Sequence, residues 1–134
     1  MLPNKHDLST MSFVLPTTVG DKVTLINQQK TIIYFFAPWC QICHASIDNL
    51  QAIYQSNTSL KVIAVALDFM TVEEVEKFVA KHQLTFPVAI GNEEVKQAFK
   101  VHAYPSYYVV DKKNIVIAKA MGYSTEIGLY LRSL

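Results

Sequence analysis

Cys40 and Cys43 are the only thiols in a chain of 134 residues, and just Gln41 and Ile42 separate them. A bridge between thiols this close shuts a loop that is already local, so it constrains the unfolded chain little and cannot staple a fold. Secreted disulfide scaffolds carry more cysteines, spread along the chain. The pair is therefore read as chemical. The thiolate is the attacking species in disulfide exchange, and a helix N-terminus stabilises it because unpaired N–H groups and the helix dipole favour an anion. Cys43, nearly one turn further on and on the inner side, lies within disulfide reach of Cys40. Such a pair attacks a partner's disulfide through Cys40 and resolves the mixed disulfide through Cys43. Run backwards, it oxidises a partner dithiol.

Other chemistries fit the same residues less well. A structural zinc takes four ligands, and no second CxxC or HxxxH is present. His6, His44, His82 and His102 are scattered, so no metal is expected. Cys40-Gln41-Ile42-Cys43-His44 also spells the CxxCH attachment motif of a c-type haem, with His44 as axial ligand. Small haem c domains are mostly helical, which the rest of this chain is not. On the thiol reading, His44 is an exposed residue of the first helical turn, placed to tune Cys40 or to touch a partner. Gln41 and Ile42, between the cysteines, are candidates for tuning too. A redox-independent binding module is a further alternative, and its partner binding would survive replacement of both cysteines. Peroxidatic sites usually place Thr or Ser three residues before the cysteine, where Ala37 stands.

The elements around the pair are legible from periodicity. Thr31–Phe36 is a continuous β-branched and aromatic run, which predicts a strand buried on both faces. Ala37-Pro38-Trp39 ends it. From Cys40 the pattern turns helical, with Cys43, Ile47, Leu50 and Tyr54 on one face to about Ser56. Leu60–Leu67 predicts a second buried strand. Thr71-Val72-Glu73-Glu74 has capping-box spacing and starts a helix to about His82, with Val75, Phe78 and Val79 inward. Phe86–Ile90 is a short extended segment, and Asn92 caps a helix over Glu93–Phe99. Ser106–Val110 and Ile115–Ala120 flank the turn at Asp111–Asn114 and form a hairpin. Ser124 caps a last helix to Leu134. Near the start, Phe13–Leu15 and Val23–Ile26 flank Gly20-Asp21 as another hairpin. This order predicts an α/β fold, a central mixed sheet flanked by helices. Residues 1–11 form a flexible lead-in and residues 12–134 a single domain.

Twelve Lys and Arg against eleven Asp and Glu leave a net charge of +1, with no basic field for nucleic acid. Hydrophobic residues make up 51% of the chain and charged residues 17%, a globular balance. No apolar run reaches bilayer-spanning length, and Met1–Thr10 lacks the apolar middle of a signal peptide.

Phe36-Ala37-Pro38-Trp39-Cys40-Gln41-Ile42-Cys43 resembles the active-site segment of the thioredoxin superfamily. An N-terminal hairpin, an extra helical insert at about Thr71–Phe99, and Tyr104-Pro105-Ser106-Tyr107-Tyr108-Val109-Val110-Asp111 make the chain similar to the TlpA/ResA-like branch, thiol:disulfide interchange proteins. The resemblance implies a thioredoxin fold and a cis Tyr104–Pro105 bond facing the cysteines. It also implies a substrate groove lined by Trp39, Tyr104 and Pro105. It implies protein partners carrying disulfides or thiols and an upstream, membrane-bound redox donor. No cofactor is needed, because the dithiol is the redox group, and a monomer is expected. Branch members are commonly anchored periplasmic reductants. A periplasmic or membrane-anchored place with the signal or anchor outside this sequence is therefore expected, the cytoplasm being the alternative. The chain departs from the pattern at four places. Tyr34 stands where thioredoxin has a buried Asp, Ser46 where many branch members have Glu, and Ile42 where Pro is common; no Pro follows between Cys43 and Tyr54. The proton-relay residue is thus not identified by the resemblance.

Overall fold

The chain's structure is a computed structural model that describes residues 6–7, 13–56 and 60–122. The helix expected over Ser124–Leu134, and most of the expected lead-in, lie outside the described residues. The elements run β1 (His6–Asp7), β2 (Val14–Pro16), β3 (Lys22–Thr24), β4 (Thr31–Phe36), α1 (Gln41–Ser56), β5 (Lys61–Ala66), α2 (Val72–His82), β6 (Val88–Ile90), α3 (Glu93–Ala98), β7 (Ser106–Val110) and β8 (Ile115–Met121).

Six strands form a mixed sheet in the order β1-β8-β7-β4-β5-β6. β4, β5 and β6 are parallel neighbours, and β7 and β8 continue the sheet antiparallel. β4 is thus a central strand, which explains its unbroken apolar run: all six of its residues are buried. Alternate side chains serve two different cores. Ile32, Tyr34 and Phe36 face one core with Cys43, Ile47 and Leu50 of α1 and Val75 and Phe78 of α2. Ile33 and Phe35 face the other, with Leu15, Leu25, Val95 and Phe99. Fully burying a side chain such as Phe35 contributes about 1.5–3 kcal/mol, so this one strand anchors both layers.

The β2–β3 hairpin pairs separately, Leu15 opposite Val23, and docks on the sheet edge where Thr18 N–H donates to the Val88 carbonyl. Within the segment 71–99, the short extended run expected at Phe86–Ile90 is β6, an edge strand between the two helices. Within the expected lead-in, His6 and Asp7 pair with Val116 and Ile115 of β8.

Local chemistry sets the helix ends. Thr71 accepts from Glu74 N–H, and Glu74 Oε2 accepts from Thr71 N–H, completing the capping box. Asn92 Oδ1 accepts from Val95 N–H at 2.9 Å and opens α3. α2 closes at Gln83, which adopts a left-handed conformation (φ 51°).

Candidate active site

β4 is registered against β5 on one side and β7 on the other, so its C-terminal end aims the following turn at the loop that precedes β7. That turn carries Trp39 and Cys40. Cys40 sits immediately before α1, its N–H donating to the Ala37 carbonyl and its carbonyl accepting from His44 N–H. The Cys43 N–H points at Cys40 Sγ, 3.2 Å away. This is the free N–H of a helix start spent on a sulfur. Cys40 is 8% exposed and Cys43 0%, and both are free thiols. Burial pushes the Cys43 thiol well above the ordinary cysteine range, and its contact with Cys40 adds to the shift. The two sulfurs thus differ: Cys40 lies at a helix start and keeps a small exposure, whereas Cys43 is sealed inside and held protonated.

The facing wall is the loop before β7. The Tyr104–Pro105 peptide is cis, and the Tyr104 carbonyl lies 3.6 Å from Cys40 Sγ. Pro105 is buried beneath it, while Trp39 stands 63% exposed beside the pair. The Trp39 and Tyr104 rings meet edge to face at 6.0 Å. Gln41 and Ile42 are exposed on the first turn of α1. Trp39, Tyr104 and Pro105, proposed from the sequence as a groove, therefore converge on Cys40.

Asp68 was not anticipated. It follows β5 in a left-handed conformation (φ 51°) and ties this wall together. Its carbonyl accepts from Trp39 Nε1–H at 2.8 Å. Its Oδ2 accepts from the Tyr104 hydroxyl at 2.5 Å and from Lys96 Nζ at 2.8 Å. The Lys96 ammonium, then the Tyr104 hydroxyl, hold the Asp68 carboxyl below the usual carboxylate range. Burial first, and Asp68 second, push the Tyr104 phenol upward. A positive φ at a non-glycine residue was the only local signal available, and sequence does not display it.

Behind the cysteines, two of the departures noted in the sequence meet. The Tyr34 hydroxyl is 2.8 Å from Ser46 Oγ, and both hydroxyls lie 3.3 Å from the Cys43 carbonyl. Burial drives the Tyr34 phenol far above neutrality, so it stays protonated. Both positions that carry carboxylates in the resembled proteins are thus neutral hydroxyls bonded to each other. His44 differs from its expectation as a simply exposed residue. It is half-buried, with Nε2 2.8 Å from the Pro38 carbonyl oxygen and Nδ1 2.7 Å from His82 Nε2. Both ring nitrogens are engaged within the fold, which disfavours a haem-ligand role. Among the described residues, no group of three or more His, Cys, Asp or Glu is placed to hold a metal ion.

This strand–turn–helix with a thiol pair facing a cis-proline loop is an arrangement of the thioredoxin fold. The chain belongs to the AhpC/TSA family, whose model matches residues 9–119. It is similar to thioredoxin-like protein YneN of Bacillus subtilis, with 29% identity over 110 residues covering 78% of this chain and 64% of that one. It is also 33% identical over 88 residues to thiol-disulfide oxidoreductase ResA of Oceanobacillus iheyensis, covering 63% of this chain and 45% of ResA. The chain thus spans less than two thirds of the length of either relative. The crystal structure of StoA from Bacillus subtilis superimposes with a TM-score of 0.80 at 24% identity, covering 92% of this chain and 96% of that one. The likeness to StoA shows the fold, and the relatives named ResA and YneN match the TlpA/ResA-like branch that the sequence resembles.

Proposed function

We propose that the chain is a protein thiol–disulfide oxidoreductase, working as a reductase. The observation that carries this is the asymmetry of the pair. Cys40 stands at the start of α1, 8% exposed, with the Cys43 N–H on its sulfur, whereas Cys43 is sealed from solvent. Cys40 thiolate attacks one sulfur of a partner disulfide, forms the mixed disulfide and expels the other partner sulfur as thiolate. Cys43 then gives up its proton and attacks Cys40 Sγ, releasing the second partner sulfur. Two electrons and the Cys43 proton pass to the partner, whose remaining thiolate takes its proton from solvent, and Cys40–Cys43 is left oxidised. The substrate's extended backbone lies along Tyr104 and Pro105, with Trp39 as the exposed flank. The redox group is the dithiol itself.

The partners are proteins with exposed disulfides, and an upstream donor, membrane-bound, restores the dithiol. The protein acts as a monomer outside the cytoplasm, periplasmic or anchored and facing that side. Relatives named thiol-disulfide oxidoreductase support the activity. Among the described residues, no helix is long and apolar enough to cross a membrane, so an anchor would have to lie elsewhere. The test is a redox titration in glutathione and dithiothreitol buffers read by fluorescence of Trp39, the sole tryptophan. A two-electron midpoint below about −240 mV supports a reductase, and one above about −180 mV indicates an oxidant or isomerase. Absence of any transition would refute the activity.

A further inference from the structure

The hydrogen bonds of His44 and His82 cannot be satisfied by two neutral rings. His44 Nε2 faces the Pro38 carbonyl oxygen at 2.8 Å, which only accepts, so this nitrogen carries a hydrogen. His82 Nδ1 faces Asp48 Oδ1 at 3.0 Å, a carboxylate oxygen that likewise accepts, so this nitrogen carries one too. A neutral imidazole has one N–H and one bare nitrogen. Two neutral rings fixed in this way would point bare lone pairs at each other across the 2.7 Å between His44 Nδ1 and His82 Nε2. That separation is a hydrogen-bond distance only if a third proton lies between them. The pair therefore holds three protons on four nitrogens and one positive charge, which Asp48 balances.

The setting suits a held proton. The His82 side chain is 7% exposed, whereas that of Asp48 is 66% exposed and keeps its solvation. The Phe78 ring lies 4.6 Å from His44 and 4.7 Å from His82, backing both rings. Asp48 comes from α1, exposed Lys81 adjoins His82 on α2, and the Cys40 thiol lies one turn before His44. With the rings already in contact, no space is left between their nitrogens for a metal ion.

We propose that Asp48, His82 and His44 form a proton-holding relay that positions the Pro38-Trp39-Cys40 turn, making the reactivity of Cys40 depend on the protonation of the pair. His44 and His82 are positioning residues: they grip the turn through the Pro38 carbonyl. Loss of one proton leaves the pair unable to keep all three contacts: His82 either parts from His44 or, keeping its one hydrogen on Nε2, gives up Asp48, and in both cases the chain of bonds from Asp48 to the Pro38 carbonyl is broken and the turn loosens. The relay rests on the exchange reading only in that Cys40 is the nucleophile.

The experiment follows iodoacetamide alkylation of Cys40 in the reduced Cys43→Ser chain from about pH 5 to 9, where imidazoles titrate, with ring nitrogens observed by 15N NMR. The rate profile is expected to show two steps, one from the thiol and one of about threefold from the relay. His82→Gln should leave a single step. Asp48→Asn, at an exposed position that does not threaten folding, should move the relay step to lower pH because the balancing charge is gone. NMR at about pH 6 should show three ring protons shared by the two histidines. Superimposable profiles for His82→Gln and its parent, or two neutral rings at that pH, would overturn the relay. Alkylation needs no redox partner. A chain that alkylates in two steps yet fails to reduce any disulfide would therefore keep the relay and lose the oxidoreductase reading.

Discussion

Tyr34→Phe separates a structural hydroxyl from a proton relay. The substitution keeps the ring contacts, stacked on Phe36 at 5.9 Å and edge-on to Tyr107 at 4.9 Å, and removes only the hydroxyl of a residue that is 0% exposed. Two hydroxyl hydrogens, from Tyr34 and Ser46, serve three contacts: Tyr34 with Ser46, and each with the Cys43 carbonyl. With Tyr34 shortened, Ser46 still donates to that carbonyl, so no polar group is orphaned and the net loss is one hydrogen bond. The cost is about 0.5–1.5 kcal/mol, which for a domain of this size lowers Tm by roughly 2–6 °C. Thermal unfolding followed by circular dichroism reads it. Because burial keeps the phenol protonated across the working pH range, Tyr34 does not ferry the Cys43 proton. The rate at which Cys43 resolves a mixed disulfide should then stay within about threefold of wild type, as one hydrogen bond at the backbone allows. A tenfold slowing, or a stability loss beyond about 3 kcal/mol, would refute this account and make Tyr34 part of the proton path.

Three other substitutions probe the frame of the site. Asp68→Asn removes the anion that holds Tyr104 and Lys96. It should raise KM for insulin reduction several-fold with kcat little changed, and the stability loss should stay within about 1 kcal/mol because the ion pair is partly solvated. The wild-type Asp68 carboxyl is held below its ordinary value, so its contribution is present above the unfolded carboxylate value near ~3.9 and is lost as pH falls through the lower folded one. The stability gap between wild type and Asp68→Asn should therefore close in acid, and a constant gap from pH 7 to 2 would contradict the pairing. Gly91→Ala would place Cβ 2.6 Å from the Ala66 carbonyl oxygen and 2.7 Å from Val65 Cγ1, against the backbone of a central strand. It should destabilise by about 1–3 kcal/mol or more, and unchanged urea unfolding would show that the β5–β6 edge yields. Gln83→Gly, at a left-handed helix end, should raise stability by a few tenths to ~1 kcal/mol in the same assay, and a loss would mean that the Gln83 side chain itself contributes.

What sequence conveyed was whatever repeats at short range. β4 was visible because a central strand buries both faces, and Thr71–Glu74 because a capping box lies within one turn. The cysteine pair was visible because its chemistry is local. The short strands were read through their flanks, Phe86–Ile90 as the extended segment that becomes β6 against β5 and the first hairpin through its Gly20-Asp21 turn, whereas β1, a two-residue pairing with β8 inside the expected lead-in, had no period to read. The candidate site divided along the same line. Trp39, Cys40 and Cys43 lie within five positions, and Tyr104-Pro105 was reached by resemblance. His44 and His82 are 38 positions apart and Asp68 and Tyr104 are 36, and their contacts exist only after α1, α2 and the loops have packed. Tyr34 and Ser46 were noted singly as departures, and only the fold shows that they bond to each other.

The central claim, that Cys40 attacks and Cys43 resolves, is tested most directly by mixing reduced Cys43→Ser protein with oxidised insulin and weighing the products under non-reducing conditions. The expected result is a stable adduct of one chain with one insulin fragment linked through Cys40, absent from Cys40→Ser, which should neither trap nor reduce. Adduct formation by Cys40→Ser through Cys43, or no adduct from Cys43→Ser, would contradict it.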